Sequence, residues 1–290
     1  MQKIILYLSS IVMFTTVFLF SLFPRGLNLF LGRNLGVMIY LFGLRKKVAK
    51  INLKIAFKNK TDFEIEMMLI NCYRHFGMVI IDFLTQHSIN KENISDYVVF
   101  NKGDKILLKN AGGGVIMSAH FGNWEILVPA FGFNNIKMDA VIKEQKNKTV
   151  NDLYIKARSF PNIGLLLKHK SLSKLYDAIS DNKFIGLACD QSARSGGVRN
   201  NFFLKDASFP KGSGIFYSRT NCSIFVVFCI LGSDSKYHIF VKPITSTESK
   251  EEEITKDITS QYVDILEKKI IQNPHQYFWF HRKFDKRIYR

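Results

Sequence analysis

The chain has 290 residues, 47% of them hydrophobic, and a formal net charge of +17. That length supports one large domain or two small ones, and the apolar fraction supports a substantial core. The four cysteines (Cys72, Cys189, Cys222 and Cys229) show no C-x-x-C spacing, which argues against a zinc site or a disulfide framework and for a reducing compartment.

The charge is unevenly placed. Residues 1–60 hold ten Lys/Arg and no carboxylate, and the closing HRKFDKRIYR holds five more against one Asp. A basic chain suits nucleic acid, an anionic membrane surface or an acidic partner. Here the cations directly follow a hydrophobic segment, which favours the membrane; no nucleic-acid motif is present.

Residues 4–23 are twenty uncharged, mainly apolar positions between Lys3 and Arg25. Twenty helical residues at ~1.5 Å each span the ~30 Å hydrocarbon core. The stretch exceeds a signal-peptide core, and Pro24-Arg25 stands where small residues would mark cleavage, so an uncleaved anchor is expected. Residues 27–44 are apolar but carry Arg33 near the middle; a charge there is costly in lipid, so an interfacial helix is expected rather than a second span. The basic cluster at 45–60 then marks the cytoplasmic side. The expected organisation is a membrane anchor and interfacial helix over 1–44 and a catalytic domain over 45–290, held against the anionic inner-membrane surface.

Apolar spacing of three and four predicts a helix over 62–86. Residues 114–119 read as a buried strand after the Gly112-Gly113-Gly114 turn, followed by a helix at 123–133. A strand at 137–143, a helix at 147–158, a short strand at 163–168, a helix at 171–181 and a strand at 183–189 follow. Residues 192–209 read as a polar, Gly-containing loop. A helix at 211–220, strands at 223–231 and 236–242, and a helix at 251–272 complete the pattern. The alternation predicts an α/β fold, a mixed central sheet flanked by helices. Functional residues then belong at the carboxyl ends of strands, where His120 and Asp190 both fall.

The stretch 115–125, VIMSAHFGNWE, carries the chemistry. Neutral imidazole accepts a proton at cytoplasmic pH, so His120 could deprotonate an alcohol as its oxygen attacks an acyl carbonyl. Glu125 could accept a hydrogen bond from the other ring nitrogen and stabilise the imidazolium. Gly122-Asn123 bends the chain between them, Asn123 shaping the turn or the oxyanion site, and the N-terminus of the following helix offers N–H groups to the oxyanion. No G-x-S-x-G elbow and no phosphate-binding G-x-x-x-x-G-K-[ST] occurs.

SAHFGNWEIL resembles the H-x4-[DE] box of the lysophospholipid acyltransferase superfamily, in the form found in the lipid A biosynthesis (lauroyl/myristoyl) acyltransferases. Four further blocks, in order, are similar to that family: residues 48–84, the KEQKNKTVNDLYIKARS segment, the block opening LACDQSARSGG, and PHQYFWFHRKFDKR. The resemblance implies a PlsC-like acyltransferase fold that moves a fatty acyl chain from acyl carrier protein to a hydroxyl of a lipid A precursor or related glycolipid at the bacterial inner membrane, with no metal and no cofactor. It makes His120 the base and Glu125 its partner, and puts Arg158 and Asp190 in or beside the site, Arg158 as a phosphate-binding fork and Asp190 orienting that arginine or the donor. Asn147-Lys148 replaces a common Asn-Pro, and SARSGGVRNN lacks the usual Tyr-Gly pair; both leave acceptor and chain length open. The alternatives are acylation of another lipid from acyl-coenzyme A, or a non-catalytic lipid-binding protein on the same fold. The closing HRKF, behind Trp279, could meet headgroups or acidic carrier, or could be a buried aromatic end with a solvated basic tail.

Overall fold

The structure, a computed structural model, describes residues 15, 19–145, 147–167 and 172–290; most of the expected anchor at 4–23 lies outside them. Helices α1 (Arg25–Leu41), α2 (Lys46–Ala56) and α3 (Asp62–Thr85) form one layer. Thr61 starts α3 with a capping box: its hydroxyl accepts from the Glu64 amide, and the Glu64 carboxylate accepts from the Thr61 amide. Helices α1 and α3 cross at very short range, because Gly32 and Gly36 lie against Gly77 and a Cβ at any of the three would collide with facing backbone. The outward side of α1 and the turn after it leave Phe30, Met38, Leu41, Phe42 and Leu44 exposed. Among the described residues, Asp62–Ser88 is long and apolar enough to cross a membrane, and half of its apolar 18-residue window is buried inside the protein. Helices α1 and α2 meet at 101° and do not continue one another.

The rest of the chain runs β1 (Val98–Val99), α4 (Lys102–Ala111), β2 (Gly114–Ser118), α5 (Leu127–Phe133), β3 (Met138–Ile142), α6 (Lys148–Ala157), β4 (Ile163–Leu167), α7 (Leu172–Ser180), β5 (Phe184–Ala188), β6 (Val198–Phe202), β7 (Lys205–Phe209), α8 (Gly212–Thr220), β8 (Ile224–Leu231), β9 (Tyr237–Ile244) and α9 (Glu251–Gln272). The central sheet has the order β1-β9-β8-β2-β5-β3-β4. It is parallel except for the β8–β9 pair. Its strands are near-continuous apolar runs because helices cover both faces. One face packs α2, α3, α8 and α9 through residues such as Leu53, Leu69, Tyr262 and Leu266; the other packs α5 through Leu127, Ala130 and Phe131.

Two differences from the sequence reading bear on the site. Residues 192–209 hold the β6–β7 hairpin, not only loop; its corner is Phe203-Leu204, both at positive φ (51° and 59°). The helix expected from residue 123 starts at Leu127, after an irregular turn.

Candidate active site

Strands β2 and β5 are neighbours in parallel register, with Ser118 opposite Ala188. Two residues on, the same register sets His120 beside Asp190. The imidazole Nδ1 lies 2.9 Å from Asp190 Oδ1, and Asp190 is buried. Burial alone would lower the His120 pKa; the Asp190 charge and hydrogen bond outweigh it, Glu125 adds to them, and the net shift is upward. Burial likewise pushes the Asp190 carboxyl up, but the facing imidazole, its hydrogen bond and the nearby Lys283 hold it below its ordinary value.

The other ring nitrogen faces Gln191. The Gln191 amide nitrogen lies 3.3 Å from His120 Nε2 and 2.8 Å from His281 Nε2. An amide NH₂ only donates, so both Nε2 atoms accept, and the His120 proton resides on Nδ1 toward Asp190. Nε2 thus keeps the lone pair that a base needs.

The turn after His120 is held from several sides. Gly122 has φ +63°, and a Cβ there would run into the Cys229 carbonyl oxygen, so only glycine fits. His75 Nε2 lies 3.1 Å from the Gly122 carbonyl; burial pushes this imidazole down to about 4, so it donates as a neutral ring. Asn123 is fully buried. Its Oδ1 accepts from the amides of Glu125 (3.1 Å) and Ile126 (3.4 Å), and its Nδ2 faces Asp82 Oδ2 at 3.5 Å. Asp82 is buried in turn, taking Tyr237 Oη at 2.7 Å and Arg25 Nη1 at 3.2 Å. Most of the expected helix-end donors are therefore occupied: across residues 121–128 only the Trp124 and Leu127 N–H groups have no acceptor among the described residues.

Glu125 does not meet the imidazole ring nitrogens. Arg158 grips it in a two-point fork, Nε to Oε2 at 2.8 Å and Nη2 to Oε1 at 2.6 Å, and Trp124 Nε1 donates to Oε1 at 3.0 Å. The same guanidinium lies against the rings of Phe83 and Tyr154. The contacts expected of the two carboxylates are thus exchanged: Asp190 faces the histidine, and Glu125 pairs with the arginine. The Arg158 fork is spent on Glu125 and does not stand free for a phosphate.

The C-terminal segment passes directly over the site. The Phe278 amide donates to the His120 carbonyl at 2.9 Å, and Gln276 makes a two-way pair with the Leu231 backbone. Asn52 in α2 donates to the carbonyls of Trp279 (2.7 Å) and His281 (2.8 Å) and accepts from Tyr289 Oη. Trp279 and Lys283 are buried, and Arg282 is exposed. Burial draws the Lys283 ammonium down to about 7 despite Asp190 nearby, and its Nζ donates to the Ser208 carbonyl at 2.9 Å. The tryptophan is therefore core, and the basic tail is divided between core and surface.

Beside His120 opens a cavity of about 270 Å³. His120, Glu125 and Arg158 stand at its polar end; Leu127, Phe131, Met138, Ala140, Gly186 and Leu187 are among its apolar walls. It lies between α5 and the faces of β2, β5 and β3. An apolar slot with a few converging polar groups is the usual form of a small-molecule site, and this one suits a hydrocarbon chain whose reactive head stops at an imidazole.

The sequence pattern described as bacterial lipid A biosynthesis acyltransferase matches residues 2–286. The chain belongs to that family. It is similar to the lipid A biosynthesis palmitoleoyltransferase of Escherichia coli (strain K12), 23% identical over 274 residues, covering 91% of this chain and 87% of that one. A lipid A biosynthesis acyltransferase of Shigella flexneri matches to the same extent. The protein is thus an acyltransferase of lipid A synthesis, and the match bears out the family resemblance of its motif blocks.

Of the residues expected at the site of this acyltransferase, His120, Glu125 and Arg158 share the cavity, Asp190 supports the histidine from below, and Asn123 is enclosed in the turn. The sequence reading missed Gln191, His281, His75, Asp82 and Asn52. Gln191 directly follows Asp190 in the same strand-end block, which was the available signal. The others come from distant helices and the C-terminal segment, and only folding brings them near.

Proposed function

We propose that this acyltransferase carries a fatty acyl chain from acyl carrier protein to a hydroxyl of a lipid A precursor, a late acylation, using His120 as general base. The observation that carries the reading is the placement of His120: Nδ1 held by buried Asp190, Nε2 turned to the Gln191 amide, and an apolar slot beside the ring. The acyl chain enters the cavity and the thioester carbonyl stops near the imidazole. The acceptor hydroxyl displaces Gln191 from Nε2 and gives its proton to that nitrogen as the oxygen forms a bond to the carbonyl carbon. Asp190 stabilises the imidazolium so formed. The Trp124 N–H is the candidate donor to the tetrahedral oxyanion. Collapse breaks the C–S bond, and the imidazolium returns the proton to the departing thiolate, leaving an ester and a thiol. Glu125 and Arg158 together form a rigid wall at the head of the slot.

The same reading has a PlsC-like acyltransferase fold over residues 45–290, held at the cytoplasmic face of the inner membrane by residues 1–44. The exposed Phe30, Leu41, Phe42 and Leu44 support a lipid-facing side to this segment. The test is transfer of labelled acyl chains to a lipid A precursor, with acyl carrier protein and coenzyme A thioesters compared at equal concentration. Transfer from the carrier protein well above that from coenzyme A supports the reading; transfer from coenzyme A alone overturns the donor, and no transfer from either overturns the activity. Deleting residues 1–23, which leaves Arg25 and its pair with Asp82 in place, should move the protein to the soluble fraction, and continued sedimentation with membranes would contradict the anchor.

A further inference from the structure

Two spaces meet at the paired imidazoles. The apolar cavity ends on His120, whereas Gln191 and His281 belong to a second, polar cleft of about 690 Å³. Six cations line that cleft against two carboxylates. Both carboxylates are engaged: Asp206 pairs with Arg199 and Asp285 with Arg287. Lys283 is spent on the Ser208 carbonyl. Arg45, Arg194, Arg282 and Lys286 have no carboxylate partner among the described residues. They come from separate parts of the chain: the α1–α2 turn, the loop after β5, and the C-terminal segment.

Three unpaired guanidinium groups and an ammonium around one concavity match a ligand with more than one negative charge. A phosphate monoester carries about −1.5 to −2 near pH 7 and accepts the two-point guanidinium fork. Arg45 also follows directly on Leu41, Phe42 and Leu44, which are 74%, 82% and 62% exposed. The cationic rim therefore adjoins an exposed apolar edge. That combination suits a ligand whose charged head enters the cleft while its hydrocarbon chains remain beside the edge, rather than a water-soluble carrier protein.

We propose that this cleft binds a phosphate group of the glycolipid acceptor and thereby directs the acceptor hydroxyl past Gln191 toward His120. The proposal rests on the acyltransferase reading above and adds the site that recognises the acceptor. Arg45, Arg194 and Arg282 act as binding residues, and His281 with Gln191 forms the passage between cleft and base.

The test uses the full-length protein in detergent micelles, a phosphorylated glycolipid acceptor, and the same glycolipid after its phosphates are removed. The first readout is direct binding, which needs no turnover. Wild type should bind the phosphorylated form at least about tenfold more tightly, and Arg45→Gln/Arg282→Gln should lose that preference. The second is kinetic: the double variant should raise the acceptor KM about tenfold or more, with kcat within about threefold and the donor KM unchanged. A control that removes two exposed cations elsewhere, Lys58→Gln/Lys102→Gln, should behave as wild type. Equal binding of both glycolipids by wild type, an unchanged acceptor KM in the variant, or a rise confined to the donor KM would overturn the proposal. If wild type transfers no acyl chain at all, the reading of the activity fails, while the binding comparison still decides the cleft.

Discussion

His120 and Asp190, seventy residues apart in the chain, face one another at 2.9 Å because β2 and β5 are parallel neighbours with Ser118 opposite Ala188. The proposed base and the carboxylate facing it thus stand two residues beyond the ends of two neighbouring strands at the centre of the sheet. Rigid strands hold such geometry better than loops do.

Replacing Asp190 by Asn should lower kcat/KM by about 10²- to 10⁴-fold, since the amide supports the wrong tautomer and cannot stabilise an imidazolium. The pH profile carries a further sign. Wild-type His120 titrates above its ordinary 6.5 because Asp190 and Glu125 outweigh burial, and the base works only when neutral. Wild-type kcat/KM should therefore rise with pH through a limb above 6.5, and the residual activity of Asp190→Asn should have its limb moved to lower pH. A rate–pH series on both proteins checks this, and an unmoved limb would show that the carboxylate does not set the titration.

The Glu125–Arg158 pair is mostly buried, with side-chain exposures of 12% and 14%. Arg158→Met leaves an uncompensated carboxylate and should cost about 2–4 kcal/mol of stability. Glu125→Leu/Arg158→Met removes both charges and should recover much of that loss while remaining inactive. Chemical unfolding of the detergent-solubilised variants measures both. Additive losses would mean that the two side chains do not depend on one another.

Much of this was legible in the chain. The order of strands and helices follows from apolar runs and their spacing, and His120 and Asp190 both read as strand-end residues. What periodicity does not contain is which strands lie side by side, and so which carboxylate meets the histidine. Glu125 was the nearer acid in sequence, but Gly122 at φ +63° and the Asn123 clasp turn the chain so that Glu125 meets Arg158. The β6–β7 hairpin was missed for a local reason. Its corner is Phe203-Leu204, where an Asn-Gly or Asp-Gly would have given the usual signal for positive φ.

Asp82 links α3 to the turn after His120 and to Arg25 at the start of α1. Asp82→Ala leaves the Arg25 guanidinium without its carboxylate and frees Asn123 on one side, and should destabilise the protein by about 3–5 kcal/mol. Tyr237→Phe removes one hydrogen bond from the same carboxylate and should cost only about 1 kcal/mol. Thermal unfolding of the two variants should rank them in that order; the reverse order would place the weight of the network on the phenol.

The floor of the apolar cavity predicts a change in acyl choice. Ala140 and Gly186 stand among its walls on adjacent strands β3 and β5. Ala140→Phe should fill part of the slot and lower transfer of the longest accepted chain about tenfold relative to one four carbons shorter. Competition between two labelled donors in one reaction, read by mass spectrometry of the product, gives the ratio directly. An unchanged ratio would place the acyl chain elsewhere.

The most direct measurement is single-turnover transfer from labelled acyl carrier protein to a lipid A precursor by wild type and His120→Ala, with both proteins verified as folded and membrane-bound. The general-base account predicts a loss of well over ~10²-fold in the chemical step. Equal single-turnover rates would contradict it.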